Sequence, residues 1–272
     1  TPLILTARSN NNPTFDLSRK RLGFNHIPNI KKMSDHSVLH KANTRGSQDH
    51  GWLKVNHTFS FANYHNQERM HFGALRVLND DTIAGGKGFG THPHDNMEII
   101  TIPLEGDLAH KDNMGNGAVI RKGDVQVMSA GTGITHSESN SNADDPVKVL
   151  QIWLFPNMRD VTPRYDQISL DSIACKNEFY QILSPNENDQ GVWIHQNAWF
   201  SMADFDKDKK LDYKLNSNSN GVYFFMIEGQ ALVETELLDK RDGFGIWDIE
   251  NIKISASKGS KILLMEIPMS VG

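Results

Sequence analysis

Residues 88–106 read GFGTHPHDNMEIITIPLEG, and this stretch carries a pattern that recurs along the chain. A glycine-rich start leads into the β-rich run Glu98–Leu104, which ends at the turn residues 105–107. Further runs of this kind are Val55–Phe61, Gly73–Leu78, Val125–Met128 and Val147–Phe155. Short strands at intervals of about ten residues, with almost no helical periodicity, predict an all-β sandwich or barrel rather than a parallel sheet.

The second half of the chain repeats the first in outline. Three segments have counterparts in the same order: IPLEGDLAH (102–110) and FMIEGQALV (225–233), RKGDVQVM (121–128) and RDGFGIWD (241–248), KVLQIWLFP (148–156) and KILLMEIP (261–268). This order predicts two β-barrel domains that arose by duplication. We therefore expect a metal-binding domain at residues 34–156, a domain without metal ligands at residues 157–272, and a connector over about Asn157–Asp171.

Composition excludes several classes of protein. The chain has 28 basic and 33 acidic residues, a net charge of −5; residues 33–272 hold 22 basic against 32 acidic residues, a net charge of −10. This balance offers no direct attraction to nucleic acid. No apolar run approaches the roughly 20 residues of a membrane-spanning helix. The single cysteine, Cys175, excludes an internal disulfide framework and a thiolate zinc cluster. We expect a cytoplasmic protein.

The first 32 residues differ from the rest of the chain. They hold six basic residues and one acidic residue, and they show no sustained periodicity. We interpret residues 1–33 as a leader or disordered extension, with the natural start at Met33. An organelle transit segment is the alternative, because such segments are basic and poor in acidic residues.

Two pairs of polar residues have the spacing of metal ligands. His92 and His94 stand two residues apart, and so do His136 and Glu138. In a strand, residues i and i+2 project from the same face, so two such pairs on neighbouring strands would point four ligand atoms at one place. Three imidazoles and a carboxylate suit a divalent ion such as Fe(II), Mn(II), Ni(II), Cu(II) or Zn(II). A six-coordinate ion would keep two positions for dioxygen, water or substrate, as a catalytic site requires.

The second half serves as a comparison for these pairs. If the loops are equally long, the positions of His92 and His94 correspond to Leu215 and Ser217, and those of His136 and Glu138 to Ala256 and Lys258. No His-x-His or His-x-Glu triplet occurs there. We therefore predict that only the first domain holds a metal.

The sequence resembles the pirin family, a branch of the two-domain cupins. The resemblance runs from about Leu39 to near the C-terminus and rests on HGWLKVNHTFSFANYH (50–65), GALRVLNDD (73–81), GFGTHPHDNMEIITIPLEG (88–106) and MSAGTGITHSE (128–138). It implies a bicupin fold of two antiparallel β-barrels with few short helices. It also implies that His92, His94, His136 and Glu138 bind one divalent metal ion, Fe(II) being expected ahead of Zn, Mn, Ni or Cu.

The resemblance implies two functions. Bacterial relatives of this size are similar to enzymes with quercetin 2,3-dioxygenase activity, which open a flavonol with dioxygen and release carbon monoxide. Glu138 would then accept the substrate hydroxyl proton as the catalytic base. The vertebrate branch implies the alternative, an iron-dependent redox-sensing co-regulator that acts through a protein partner. We expect a flavonol-like substrate and dioxygen as partners, no nucleic acid, no membrane, and a monomer.

The carboxylate of the first motif departs from the general cupin pattern. General cupins would place a ligand at Ile99, whereas Glu98 stands one residue earlier. A shift of one residue in a strand changes the face, so we expect Glu98 to lie outside the metal site. Phe59, Phe61 and Met70 are candidate apolar walls of a substrate pocket, and ordinary core positions are the alternative.

Overall fold

The structure, a computed structural model, describes residues 36–271. The predicted leader lies outside these residues. The strands of the first half are β1 (Ser37–His40), β2 (Gly46–Asp49), β3 (Leu53–His57), β4 (Leu75–Ile83), β5 (Gly88–His94), β6 (Glu98–Glu105), β7 (Leu108–Asp112), β8 (Gly117–Ile120), β9 (Asp124–Ser129), β10 (Ile134–Asn140), β11 (Val147–Leu154) and β12 (Arg164–Ser169).

The strands of the second half are β13 (Tyr180–Ser184), β14 (Val192–Trp193), β15 (Trp199–Asp204), β16 (Lys209–Lys214), β17 (Asn220–Glu228), β18 (Ala231–Val233), β19 (Glu236–Leu238), β20 (Gly243–Trp247), β21 (Asn251–Ala256) and β22 (Lys261–Pro268). The helices in this part of the chain are two short 3₁₀ turns, Ala42–Thr44 and Leu170–Ser172. No helix within residues 36–271 is long and apolar enough to span a membrane. The predicted all-β fold is confirmed.

The strands form four sheets, and the two halves share one strand order. In the first half, β9-β6-β11-β4 lies within a seven-stranded sheet, and β5-β10-β7-β8 forms a four-stranded one. In the second half, β20-β17-β22-β15 and β16-β21-β18-β19 repeat both orders. The similar segments also make equivalent turns, because Gly106 (φ 72°) and Gly229 (φ 75°) both adopt the left-handed conformation that glycine permits. The duplication predicted from the sequence is thus visible in the topology.

The core lies in three layers between the four sheets. Within the first half, residues such as Leu53, Leu108 and Val149 fill the space between the seven- and four-stranded sheets. A second cluster fills the same space in the second half. The largest cluster, which includes Leu150 and Phe225, joins the two seven-stranded sheets to each other. The two halves therefore share their largest apolar core, and burial of that core stabilises both.

Two strands pair across the domain boundaries predicted from the sequence. Strand β1 pairs with β20 of the second half, and β12 pairs with β9 of the first. The predicted connector at Asn157–Asp171 therefore contains the strand Arg164–Ser169, which extends the first seven-stranded sheet. The division at residue 156 stays a prediction.

The strand ends differ from those predicted at two places. Strand β3 ends at His57 rather than Phe61, and β4 continues past Leu78 to Ile83. Asp80 and Asp81 lie within β4, because the neighbouring strands β3 and β11 pair with it on both sides. Pairing on both sides outweighs the weak strand propensity of aspartate.

Candidate metal site and cavity

The pairing of β5 with β10 brings the two ligand pairs together. The strands are antiparallel, and His92 lies directly opposite His136. The register shifts beyond this point, so that Glu138 lies opposite Phe89. This irregularity is a β-bulge, which changes the direction of nearby side chains and often occurs next to functional sites. A side chain at Gly88 would collide with the β10 backbone at Glu138, so close pairing here requires glycine.

Three of the four predicted ligands form a compact cluster. One ring nitrogen from each of His92, His94 and His136 lies within 4.8 Å of the others. The ring centroids of His92 and His136 are 4.5 Å apart, and His94 is 4.9 Å from each of the other two rings. Trp153 packs edge-on against His94 at 4.8 Å. The spacing of the imidazoles suits a single ion between them.

The hydrogen bonds of these histidines leave ligand atoms free. His92 donates its Nδ1–H to the carbonyl oxygen of Gly90 at 2.7 Å. Because a carbonyl only accepts, the neutral His92 ring keeps an unprotonated Nε2. The Nε2 of His136 is buried and has no partner within the described residues. An unpartnered buried nitrogen is costly unless a ligand satisfies it, so the cluster fits a metal ion.

Burial sets the charge state of the cluster. Burial, together with the charges of the neighbouring imidazoles, lowers the pKa of His136 to about 3. Burial and the charge of His92 likewise lower the pKa of His94 to about 4. At neutral pH both rings are therefore neutral, and neutral imidazole is the form that binds metals.

Glu138 is buried beside the cluster and has protein partners of its own. Its Oε2 accepts a hydrogen bond from Gln151 Nε2 at 2.9 Å, and the hydroxyl of Thr101 lies 3.5 Å from its Oε1. Burial raises the pKa of the Glu138 carboxyl above its ordinary value, although the bond from Gln151 opposes this. A ligand oxygen of Glu138 lies within 4.8 Å of ligand atoms of His136 and of a further histidine, His110.

Glu98 lies on the opposite face of β6 from the site. Its Oε2 accepts a hydrogen bond from the Ser129 hydroxyl at 2.7 Å. Thr101, three residues further along the strand, faces Glu138 instead. Residues an odd number apart in a strand point to opposite faces, which separates Glu98 from the predicted metal ligands.

A cavity of about 290 Å³ opens beside the imidazoles. Most of its lining surface is apolar and comes from residues such as Leu53, Val55, Phe61, Phe89 and Trp153. Its polar lining residues are His92, His94 and Glu138, together with Gln48, His50, His57, Asn79, Asp81 and Gln151. Of the predicted walls, Phe61 lines the cavity, but Phe59 is buried in the core shared by the two halves. Met70 does not border the cavity. A larger cleft of about 370 Å³ lies between the halves, lined by apolar residues as well as ion-paired side chains, and no imidazole of the cluster borders it.

Isoleucine and tyrosine occupy the positions of the second half that are equivalent to predicted metal ligands. The pairing of β21 with β18 and β16 places Ile252 and Ile254 at the positions of His136 and Glu138. Tyr213 then corresponds to His92. The predicted counterparts Ala256 and Lys258 were wrong by four residues, because the loops of the two halves differ in length. Both isoleucines are buried in an apolar core.

One buried histidine of the site was missed by the sequence analysis. His110 on β7 is buried, and its Nδ1 lies 3.4 Å from Nδ1 of His136. The available signal was the triplet His110-Lys111-Asp112, which has the same i, i+2 spacing as the predicted ligand pairs.

Comparisons with known proteins agree with this geometry. Residues 38–154 match the family Pirin, and residues 181–267 match the quercetinase C-terminal cupin domain. The chain is 41% identical over 230 residues to quercetin 2,3-dioxygenase of Escherichia coli K12, covering 85% of this chain and 98% of that protein. It is 37% identical to a pirin-like protein of Caulobacter vibrioides over 222 residues, which are 81% of this chain and 95% of that protein.

Solved structures show the same likeness. The crystal structure of the bacterial pirin YhhW from Escherichia coli in complex with nickel(II) is 39% identical to this chain, with a TM-score of 0.81. The match covers 86% of this chain and all of the other.

Proposed function

This chain belongs to the pirin family, and from that membership we propose that it is a metal-dependent dioxygenase that cleaves flavonols such as quercetin. The observation that carries the proposal is the cluster of three imidazoles beside a cavity whose surface is mainly apolar. Pockets of this kind, mainly apolar with a few placed polar groups, suit flat aromatic ligands. In the proposed reaction both oxygen atoms of dioxygen enter the ring-opened ester, and one carbon leaves as carbon monoxide.

The protein binds a metal ion, and we propose His92, His94, His136 and Glu138 as its ligands. The unpartnered Nε2 of His136 and the fixed tautomer of His92 support this set. We propose Fe(II) as the ion. Nickel is the first alternative, because the related Escherichia coli pirin is known with nickel(II). Zinc, manganese and copper also suit nitrogen and oxygen ligands.

The residues around the cavity have different roles in the proposed reaction. A bound ion, held by these residues, would supply Lewis acidity toward the substrate's oxygens. Glu138 accepts the proton of the flavonol hydroxyl, and Gln151 holds its carboxylate in place at 2.9 Å. Phe61 and Trp153 form walls against which the aromatic rings of the substrate pack.

Net charge and the single cysteine bear on the partners and the localisation of the protein. The net charge of −5 gives no support for contact with nucleic acid, and we propose that the protein acts as a monomer. The lone Cys175 is exposed and unpaired, which suits a reducing compartment, and we propose the cytoplasm.

The proposal is tested by aerobic turnover of quercetin, with carbon monoxide release as the readout. We expect turnover by Fe(II)-loaded protein, loss after metal removal, and recovery on reloading. A variant with both His92→Ala and His94→Ala should be inactive. The control His65→Ala, at an exposed histidine, should retain activity.

The same experiment separates the two candidate functions. If several flavonols are not turned over by loaded protein, the dioxygenase proposal is wrong. Failure of turnover together with metal-dependent capture of a protein partner would favour the iron-dependent co-regulator.

A further inference from the structure

A buried histidine and a buried aspartate stand behind the ligand His136. His110 on β7 is 3% exposed, and its ring centroid is 5.2 Å from that of His136. Its Nδ1 lies 3.4 Å from Nδ1 of His136, and its Nε2 lies 3.2 Å from Oδ2 of Asp112. The three side chains thus form a chain of hydrogen bonds that ends at the metal cluster.

The donor and the acceptor of each hydrogen bond in this series can be assigned by starting from Asp112. Asp112 accepts from the backbone N–H groups of Met114 and Asn116, and ionised carboxylates only accept. The Nε2 of His110 must therefore carry the proton that it shares with Asp112. When His110 carries a single proton, at Nε2, its Nδ1 is an acceptor, and Nδ1 of His136 is then the donor. The neutral His136 then has an unprotonated Nε2, the buried nitrogen that has no partner within the described residues.

We propose that Asp112 and His110 are positioning residues that fix the tautomer and the ring orientation of His136. This proposal rests on the proposed function, because it needs the metal site. The pair raises metal affinity since His136 meets the ion already in its binding form. Histidine ligands in metal sites commonly donate their other ring nitrogen in this way.

The surroundings hold the pair rigidly. Asp112 lies at the end of β7, and the side chain of Asn116 also donates to its Oδ2 at 2.8 Å. Tyr165 of β12 packs against the His110 ring with centroids 4.8 Å apart. Both nitrogens of His110 face protein partners, which distinguishes it from His136, whose Nε2 is unpartnered. His110 is thus placed to orient a ligand rather than to be one.

The test is the affinity of metal-free protein for Ni²⁺, measured by competition with a chelator. His110→Ala should weaken binding by about 10- to 100-fold. Asp112→Asn should weaken it as well, because the amide N–H in place of Oδ2 forces His110 into the wrong tautomer. His110→Gln should recover part of the affinity, since its amide oxygen can accept from His136 and its amide N–H can donate to Asp112. The control His40→Gln changes a buried histidine that is bonded to Tyr223 and belongs neither to the imidazole cluster nor to the cavity lining, and it should bind as wild type.

A spectroscopic measurement separates positioning from general support of the fold. In Zn²⁺-loaded wild-type protein, the Nδ1–H of His136 should give an exchange-protected imidazole resonance in ¹H–¹⁵N spectra. That resonance should shift or disappear in His110→Ala and persist in His110→Gln. Melting temperatures identify a variant that is unfolded. If His110→Ala is unfolded, the comparison of His110→Gln with wild type tests the proposal.

Three results would overturn the proposal, and they differ from one another. If folded His110→Ala and Asp112→Asn bind Ni²⁺ with wild-type affinity, the pair does not position His136. The proposed metal site would be unaffected by that result. Loss of one metal-bound imidazole in His110→Gln would make His110 a ligand. A wild-type protein that binds no Ni²⁺ would overturn the metal site, and the proposed function with it.

Discussion

Two buried carboxylates of the first half, Glu98 and Glu138, lie in different surroundings because of the strand face on which each stands. Both are almost fully enclosed, at 1% and 3% exposure. Glu138 borders the cavity and the imidazole cluster, whereas Glu98 bonds to Ser129 on the opposite face of β6. The alternation of faces in a strand predicted this difference from sequence alone.

Replacing Glu138 by glutamine tests its role as a base. Glu138→Gln keeps the side-chain shape but cannot accept the hydroxyl proton, so kcat for quercetin should fall by about 10²- to 10⁴-fold. Metal content should fall only modestly, because three imidazoles remain. Turnover and bound metal are measured on the same preparation. The matched variant Glu98→Gln should turn over as wild type; unchanged turnover in Glu138→Gln would refute the assignment.

Glu98 should instead affect stability, in a manner that depends on pH. Burial raises the pKa of Glu98 from 4.5 to about 7, against the opposing bond from Ser129. The folded state holds this proton more tightly than the unfolded state, so the stabilisation is complete below about pH 4.5 and is lost as pH rises through about 7. The loss is on the order of 3 kcal/mol. We expect Glu98→Gln to remove this contribution, as seen by urea unfolding at pH 5 and pH 8. Identical pH dependence in both proteins would contradict it.

Strands β5 and β10 carry the proposed metal ligands, and their close pairing depends on a glycine. A methyl group at Gly88 would collide with the β10 backbone at Glu138, whereas one at Gly90 would meet nothing within 4 Å. Gly88→Ala should therefore cost about 1–3 kcal/mol of unfolding free energy and weaken Ni²⁺ binding, because β5 holds His92 and His94. Gly90→Ala is the control, and both quantities should stay near wild type. Equal effects of the two substitutions would show that pairing at Gly88 does not set the site.

The positions of the strands were predicted well from the local sequence pattern, and the residues at which the strands end were predicted less well. The run Glu98–Leu104 is strand β6 almost residue for residue. Strand β4 continues through Asp80 and Asp81 because strands on both sides satisfy its backbone groups. Such pairing joins residues far apart in the chain, so no local pattern shows it.

At the scale of the whole molecule, a buried ion-pair cluster links the two halves. Asp80 of β4 accepts from Arg45 at 3.1 Å and from Arg241 of the second half at 3.3 Å. The Arg45 side chain is only 6% exposed, so removal of its partner would leave a buried charge unpaired. These contacts lie beside the largest core, which both seven-stranded sheets share.

Asp80→Asn should destabilise the whole described fold rather than one half. We expect a loss of about 3 kcal/mol, since breaking a buried pair leaves an uncompensated charge. Unfolding should stay a single transition when followed by both fluorescence and circular dichroism, because the halves share one core. The control Asp49→Asn removes an exposed partner of Lys54 and should change nothing measurable. Two separate transitions in the wild type would contradict the shared-core interpretation.

The sequence by itself determined the all-β class, the duplication and the three imidazoles, because strand alternation and residue spacing are local properties. Tertiary structure decided the rest. It brought His110 behind His136 and placed Ile252 and Ile254 where the second half would need ligands. It also paired β1 and β12 with sheets on the far side of the predicted boundary. These features depend on register and loop length between distant strands, which only the packed sheets fix.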